Sequence, residues 1–316
     1  MILVTGATGF VGRALVRRLA ADPSFHGVVV AVRRKAEALP EGVAQVLVGD
    51  LLPATDWRRA LQGVDAVVHC AARVHVMQDD ATEPLQAYRE VNVSGTLNLA
   101  CQAADAGVRR FVFVSSIKVN GEATQPGHPF TADDVPAPSD PYGVSKLEAE
   151  QGLRQIELQT GMEVVIVRSP LVYGPGVKAN FASMMRWVAR SIPLPLGAIQ
   201  NARSMVALDN LVDLLVTCVK HPAAAGQTFL VSDGEDVSTT ELLRRTALAI
   251  GKKPFLLPIP ASALEWGAAL LGKRAVAQRL CGSLQLDINK TRQLLDWTPP
   301  VSVDEGLRRA AEGFSQ

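Results

Sequence analysis

Cysteine is scarce and unpatterned. Cys70, Cys101, Cys218 and Cys281 are the only four in 316 residues, and none falls in a C-x-x-C or Cys/His spacing. That argues against a disulfide framework and against a zinc site, and the apolar runs around each one point to buried thiols in a reducing, cytoplasmic compartment. An excess of one charge is also lacking. Thirty-two Lys and Arg face 31 Asp and Glu, and a net charge of +1 argues against a dedicated nucleic-acid or anionic-membrane binder. No run is long and apolar enough to insert in a membrane, since Phe255 to Gly272 is interrupted by Pro258, Pro260 and Glu265. The first apolar run begins at Ile2, so no secretory leader is expected. Neither clustered His, Cys and carboxylate ligands nor paired carboxylates suited to glycoside cleavage are evident, and no metal is expected.

The chain does have apolar material. Hydrophobic residues make up 48% and mean hydropathy is +0.15, enough for a substantial core in one large or two ordinary domains. Its organising stretch is Ile2 to Gly12, where a short apolar run meets Gly6, Gly9 and Gly12 in the spacing G-x-x-G-x-x-G and a helical pattern follows from Arg13. The first glycine permits a tight turn off a strand, the second lets backbone approach a pyrophosphate, and the third lets helix pack on sheet. Thr8, Phe10 and Val11 belong to the same loop, whose N–H groups and helix dipole suit phosphate.

Apolar β-branched runs then alternate with helical patterns, which predicts an α/β fold with a Rossmann-type, doubly wound parallel sheet. Strands are expected at 28–32, 44–48, 66–72, 111–114 and 164–167. Helices are expected at 57–61, 84–106 and 141–160. From Pro170 prolines and glycines thicken, so residues 1–169 are read as the dinucleotide-binding domain. Residues 170–316 are read as a smaller C-terminal substrate lobe, with some segments returning to the first domain. Helices are expected there near 181–191, 208–220, 239–251, 261–271 and 288–295, with a strand at 228–231.

After the second strand, a ribose-binding acid is missing until Glu37, and Arg33 and Arg34 stand instead. A guanidinium grips a 2′-phosphate where a carboxylate repels it, so NADP(H) is favoured and NAD(H) is the alternative. Asp50 is placed for the adenine amino edge, with Leu51 supporting the ring. The catalytic signal is Tyr142-Gly143-Val144-Ser145-Lys146, which puts a phenol and an ammonium on one helical face. The ammonium and the positive nicotinamide of a bound cofactor are together expected to favour phenolate and bring Tyr142 toward the working pH range. Asp140 and Pro141 fit the N-cap and first position of that helix. Ser115 and Ser116 end the preceding strand at the sheet edge where such folds build their crevice. His69 is read as a satisfied core histidine, and His75 as a crevice residue able to touch substrate.

Taken together, Gly6–Gly12, Val67–Ala72, Asn92–Thr96, Ser115–Gly121, Tyr142–Lys146, Arg168–Gly176, Arg203–Asn210 and Asp296–Pro299 carry a resemblance over nearly the whole chain. The chain resembles the extended short-chain dehydrogenases/reductases of the nucleotide-sugar epimerase, dehydratase and reductase kind. The resemblance implies that Ser116 binds the reacting sugar oxygen, Tyr142 moves the proton, and Lys146 holds the nicotinamide ribose. Asn92 would keep a kinked helix in place, and Ala71, Ala72, Ser115 and Pro170 would line the cofactor path. His75, Lys118, Asn180, Leu196 and Arg203 would face a UDP-sugar, and two copies would pair through the helices at 84–106 and 141–160. The Asp-Glu pair of the family's 4,6-dehydratases is replaced by Ile117-Lys118, which makes dehydration an unfavourable reading, and the family's V-Y-G is Val119-Asn120-Gly121.

Two activities fit. The expected one is NADPH-dependent reduction at C4 of a UDP-4-keto-6-deoxy-N-acetylhexosamine, giving a UDP-N-acetylquinovosamine-type product for surface polysaccharide. The alternative is a UDP-sugar 4-epimerase holding NAD tightly. A third class, a non-catalytic NADP-sensing regulator, is disfavoured because Ser116, Tyr142 and Lys146 are all retained.

Overall fold

The computed structural model describes residues 1–74, 83–272 and 274–313, without the side chains of residues 179, 180 and 275. Among the described residues ten strands form two sheets. They are β1 (Ile2–Thr5), β2 (Val28–Val32), β3 (Val43–Leu47), β4 (Ala66–His69), β5 (Arg110–Ser116), β6 (Glu163–Ser169), β7 (Leu171–Tyr173), β8 (Arg203–Ala207), β9 (Thr228–Leu230) and β10 (Asp236–Val237). Seven of them make a parallel sheet in the order β3-β2-β1-β4-β5-β6-β9. The winding reverses between β1 and β4, and in an open parallel sheet the crevice beyond such a reversal is where ligands bind.

Helices cover both faces because alternate residues of each strand point opposite ways. Ile2 and Val4 pack with Leu15 of α1 (Phe10–Ala20) and, later in the chain, Leu211 of the helix at Leu208–Lys220. Leu3 packs on the other side, where α2 (Pro84–Tyr88) leads through a π-helical turn at Arg89–Gly95 into α3 (Thr96–Asp105), and α4 (Pro141–Thr160) follows. Both faces are therefore dry, as a central parallel sheet requires.

The remaining helices are α5 (Ala179–Ala189), α6 (Leu208–Lys220), α7 (Thr239–Ala249), α8 (Ala261–Leu270), α9 (Arg274–Cys281), α10 (Asn289–Leu295) and α11 (Val303–Glu312). β7 pairs in parallel with β8, and β10 closes that small sheet antiparallel. Tyr173, Phe181, Met205 and Leu307 form its core. α6 and β9 lie with the large sheet although both follow residue 170.

The sequence reading differs in places. Residues 57–61 make turns and not a helix, because Trp57 is buried by tertiary packing and only Leu61 N–H reaches back to the Trp57 carbonyl, at 3.0 Å. The expected helix at 84–106 is interrupted by the π-turn. The small sheet, α9 and α11 were not anticipated.

Candidate active site

The glycine loop is shaped by contact. Gly6 has φ +67°, and a Cβ there would lie 2.7 Å from the Ala71 nitrogen, so only glycine fits between β1 and the end of β4. A Cβ on Gly12 would collide with the Gly6 carbonyl, which is how α1 comes down tightly on the sheet. Gly9 N-caps α1 without any side-chain bond, and Thr8 and Gly9 are exposed, with Phe10 and Val11 partly buried behind them. No side chain caps the donors at that helix end, an arrangement that fits a pyrophosphate.

Beneath the loop, His69 is buried. Its Nδ1 lies 2.7 Å from Thr5 Oγ1 and its Nε2 3.0 Å from Thr96 Oγ1, and it stacks on Phe113. Thr5 Oγ1 also accepts from the Ala71 N–H at 3.2 Å, so both ring nitrogens and the backbone after β4 are held by one pair of threonines. Burial pushes the imidazole down to about 3, so it stays neutral. It is a structural histidine holding the floor of the crevice.

Asn92 lies inside the π-turn. Its amide donates to the Arg73 carbonyl and to Ser145 Oγ, each at 3.0 Å, and its oxygen accepts from the Arg73 N–H at 2.7 Å. One buried side chain thus ties the segment after β4, which carries Ala71 and Ala72, to the catalytic helix. Gly95 in the same turn lets Leu51 close over it, since a Cβ would sit 2.8 Å from the Leu51 carbonyl oxygen.

α4 starts where the sequence places it. Asp140 Oδ1 accepts from the Gly143 N–H at 2.6 Å, and Pro141 takes the first position. Gly143 is needed because a Cβ would meet the Lys118 carbonyl at 2.9 Å. Ser116 caps a short 3-10 turn, its Oγ accepting from the Lys118 N–H at 3.3 Å. Tyr142 and Lys146 lie on one face, with the Lys146 nitrogen 6.0 Å from the Tyr142 ring centre.

The protein's own groups act on this pair mainly through burial. Lys146 Nζ donates to the Val114 carbonyl at 2.8 Å and sits 4.3 Å from the Phe113 ring centre, and it is not directed at the phenol oxygen. Burial pushes the phenol of Tyr142 up, with Asp140 and Tyr88 adding to the rise. The same burial pushes Lys146 down to about 8, against the opposing pull of Glu150. The pair as arranged holds a protonated phenol, with desolvation the largest cause.

One turn beyond Lys146 is a network the sequence reading missed. Glu150, 4% exposed, accepts three bonds from the Arg168 guanidinium, the shortest at 2.6 Å, and a fourth from Ser115 Oγ at 2.5 Å. Arg168 also donates to Asn120 Oδ1 at 3.0 Å. Ser115 therefore spends its hydroxyl on the floor of the site. The signal was present: Glu150 shares a helical face with Tyr142 and Lys146, and Arg168 interrupts an apolar strand. Asn120, standing where the family pattern has an aromatic, is the residue that completes the network.

The other expected site residues are more scattered. Arg33 and Arg34 are exposed at the end of β2, and Arg33 approaches Asp50 at 3.5 Å. Pro170 is buried between β6 and β7. Lys118 pairs with Asp140 and, at 3.2 Å, with Glu122. Leu196 is turned into the core with Leu243 and Ala247, so its side chain is not a substrate contact. Arg203 donates to the Gly282 carbonyl at 2.9 Å and has no carboxylate partner among the described residues, because Asp209 pairs with Arg309. His75 and the side chain of Asn180 lie outside the described residues.

A family model described as "NAD dependent epimerase/dehydratase family" matches residues 2–232. The chain is 51% identical over 316 residues to a Vibrio cholerae protein named UDP-glucose 4-epimerase, covering 100% of this chain and 95% of the relative. Among solved structures, MoeE5 in complex with UDP-glucuronic acid and NAD superposes with a TM-score of 0.78 at 27% identity, over 99% of this chain and 98% of the other. The UDP-glucuronic acid 4-epimerase from Bacillus cereus, in complex with NAD, shares the fold at a TM-score of 0.79 and 22% identity, over 100% and 98%.

Proposed function

Because the chain belongs to the NAD dependent epimerase/dehydratase family, we propose that it is a UDP-sugar 4-epimerase that keeps NAD bound through each turnover. The observation that carries this reading is the triad itself: Tyr142 and Lys146 share one face of α4, and Ser116 ends β5 at the same sheet edge as the glycine loop. The loop at Gly6, Gly9 and Gly12 holds the pyrophosphate, Ala71, Ala72 and Pro170 line the nicotinamide path, and Lys146 binds the nicotinamide ribose. Bound NAD supplies reversible hydride exchange at C4.

The chain's own residues do the rest. The Ser116 hydroxyl, whose oxygen accepts from the Lys118 N–H, directs its proton to the sugar O4. Tyr142 takes the O4 proton during oxidation and returns it after the 4-keto sugar has turned over. Its burial-raised phenol needs local cations to ionise, and the Lys146 amine lies on that face, 6.0 Å from the ring centre. Arg203, desolvated and unmatched by a carboxylate among the described residues, suits the nucleotide diphosphate. Lys118, tied to Asp140, fixes the start of α4 and not the sugar. The two copies of a homodimer would pair through 84–106 and 141–160.

One feature favours a second reading. Arg33 and Arg34 stand where an NAD-type acid is expected, which suits NADPH and a 4-ketoreductase acting on a UDP-4-keto-6-deoxy sugar. UDP-glucose carrying deuterium at C4, given without added nucleotide, separates the two. Conversion to the C4 epimer with deuterium kept supports the epimerase. No conversion, together with NADPH consumption by a 4-keto sugar nucleotide, overturns it in favour of the reductase.

A further inference from the structure

The segment 252–281 does not bury what its composition would lead one to expect. α8 reads Ala-Ser-Ala-Leu-Glu-Trp-Gly-Ala-Ala-Leu, yet not one of its residues is buried. Trp266 is 69% exposed, Leu270 68% and Leu271 73%, and Phe255, Leu257 and Val276 are open beside them on the same segment. Trp266 and Leu270 stand four residues apart, so they crown one stripe of the helix while Leu264 packs inward on the core under the Leu194–Leu196 turn. The apolar face continues past the segment, because Leu194 N–H binds the Phe255 carbonyl at 2.9 Å and brings the exposed Ile192 alongside. Monomeric proteins rarely leave an aromatic and several leucines together in water.

The charge around this face selects its partner. Residues 252–281 hold Lys252, Lys253, Lys273, Arg274 and Arg279 against Glu265 alone, a net charge of +4 within a chain whose total is +1. The near-neutral balance of the whole sequence conceals this local excess. A two-fold contact between copies would oppose the same cations to each other, which disfavours self-association through this face. α8 itself carries no Lys or Arg, but an exposed indole and leucines between basic flanks at Lys252–Lys253 and Arg274 suit an acidic lipid surface, with the indole at the headgroup level and the flanking cations drawn to the phosphates. Among the described residues no helix is long and apolar enough to cross a membrane, so the contact is peripheral.

We propose that α8 and its flanks dock this protein reversibly on an anionic bilayer surface. The proposal is independent of which sugar reaction the site performs. The test is sedimentation of the full chain with vesicles of phosphatidylcholine containing 30% phosphatidylglycerol, about a third, against vesicles of phosphatidylcholine alone, at low and high salt. Expected is binding to the acidic vesicles that weakens with salt. Reversing Lys252, Lys253 and Arg274 to Glu lowers the partition on the order of 100-fold, and Trp266→Ser with Leu270→Ser lowers it at least about tenfold. Circular dichroism and melting of both variants verify that they fold. Equal binding to neutral vesicles, binding unaffected by either variant, or no binding to the acidic vesicles would each overturn the proposal, and a concentration-dependent dimer lost in Trp266→Ser would assign the face to self-association instead.

Discussion

Replacing Lys146 by Met removes the charge that the site needs and that the fold tolerates poorly. Lys146 is 2% exposed, its ammonium has one carbonyl at 2.8 Å and the faces of Phe113 and, farther off, Tyr142, and burial brings its pKa from 10.5 to about 8. Keeping it protonated at neutral pH therefore costs roughly 3 kcal/mol relative to the unfolded chain. Met matches the length of the stem and keeps its packing. Part of the gain is offset by the lost Val114 bond, about 1 kcal/mol. The variant should be more stable than the parent by about 2 kcal/mol at pH 7, with a melting temperature higher by about 4 °C. The sign of the pH dependence follows from the lowered pKa. Between about 8 and 10.5 the unfolded chain binds more protons than the folded one, so the parent gains stability with rising pH and the difference shrinks. Urea unfolding of nucleotide-stripped samples at several pH values measures this directly. A variant less stable at pH 7, or a gap that stays constant up to pH 10.5, refutes the reasoning.

Three further outcomes follow from the same geometry. Glu150→Gln leaves the Arg168 guanidinium buried beside a neutral amide and should cost about 3–5 kcal/mol in urea unfolding, whereas Glu150→Gln with Arg168→Met should recover most of it. Gly12→Ala forces a methyl onto the Gly6 carbonyl and should lower stability by about 2 kcal/mol or more, with loss of nucleotide binding by fluorescence titration. Arg33→Glu should raise the Kd for NADP at least about tenfold while leaving NAD within about threefold, as measured by calorimetry.

Much of the framework was legible because its signals are local. The apolar run into Gly6, the cap at Asp140 and Pro141, and the start of α6 at Leu208 each lie within a few residues of the feature they specify. The parts that were not legible depend on distant partners. β7, β8 and β10 are two to five residues long and gain their identity only from pairing across the chain. Trp57 is buried in the core on the α3 side of the sheet, its backbone N–H bonded to Gln102 of α3, and this tertiary packing overrides the helical pattern of residues 57–61. The burial-driven rise of the Tyr142 phenol is not legible either, because spacing shows a neighbouring ammonium but not how much water the fold removes from both groups. Glu150 and Arg168 look like ordinary charges until the register of β5 with β6 sets Ser115 opposite Arg168.

The proton relay at Tyr142 is tested most directly by Tyr142→Phe, with bound nucleotide quantified in the same sample. The account predicts that NAD content and UDP-sugar affinity stay within about threefold of the parent while C4 inversion slows by roughly 10²–10⁴-fold. Inversion at the parent rate by a variant that lacks the phenol oxygen would contradict it.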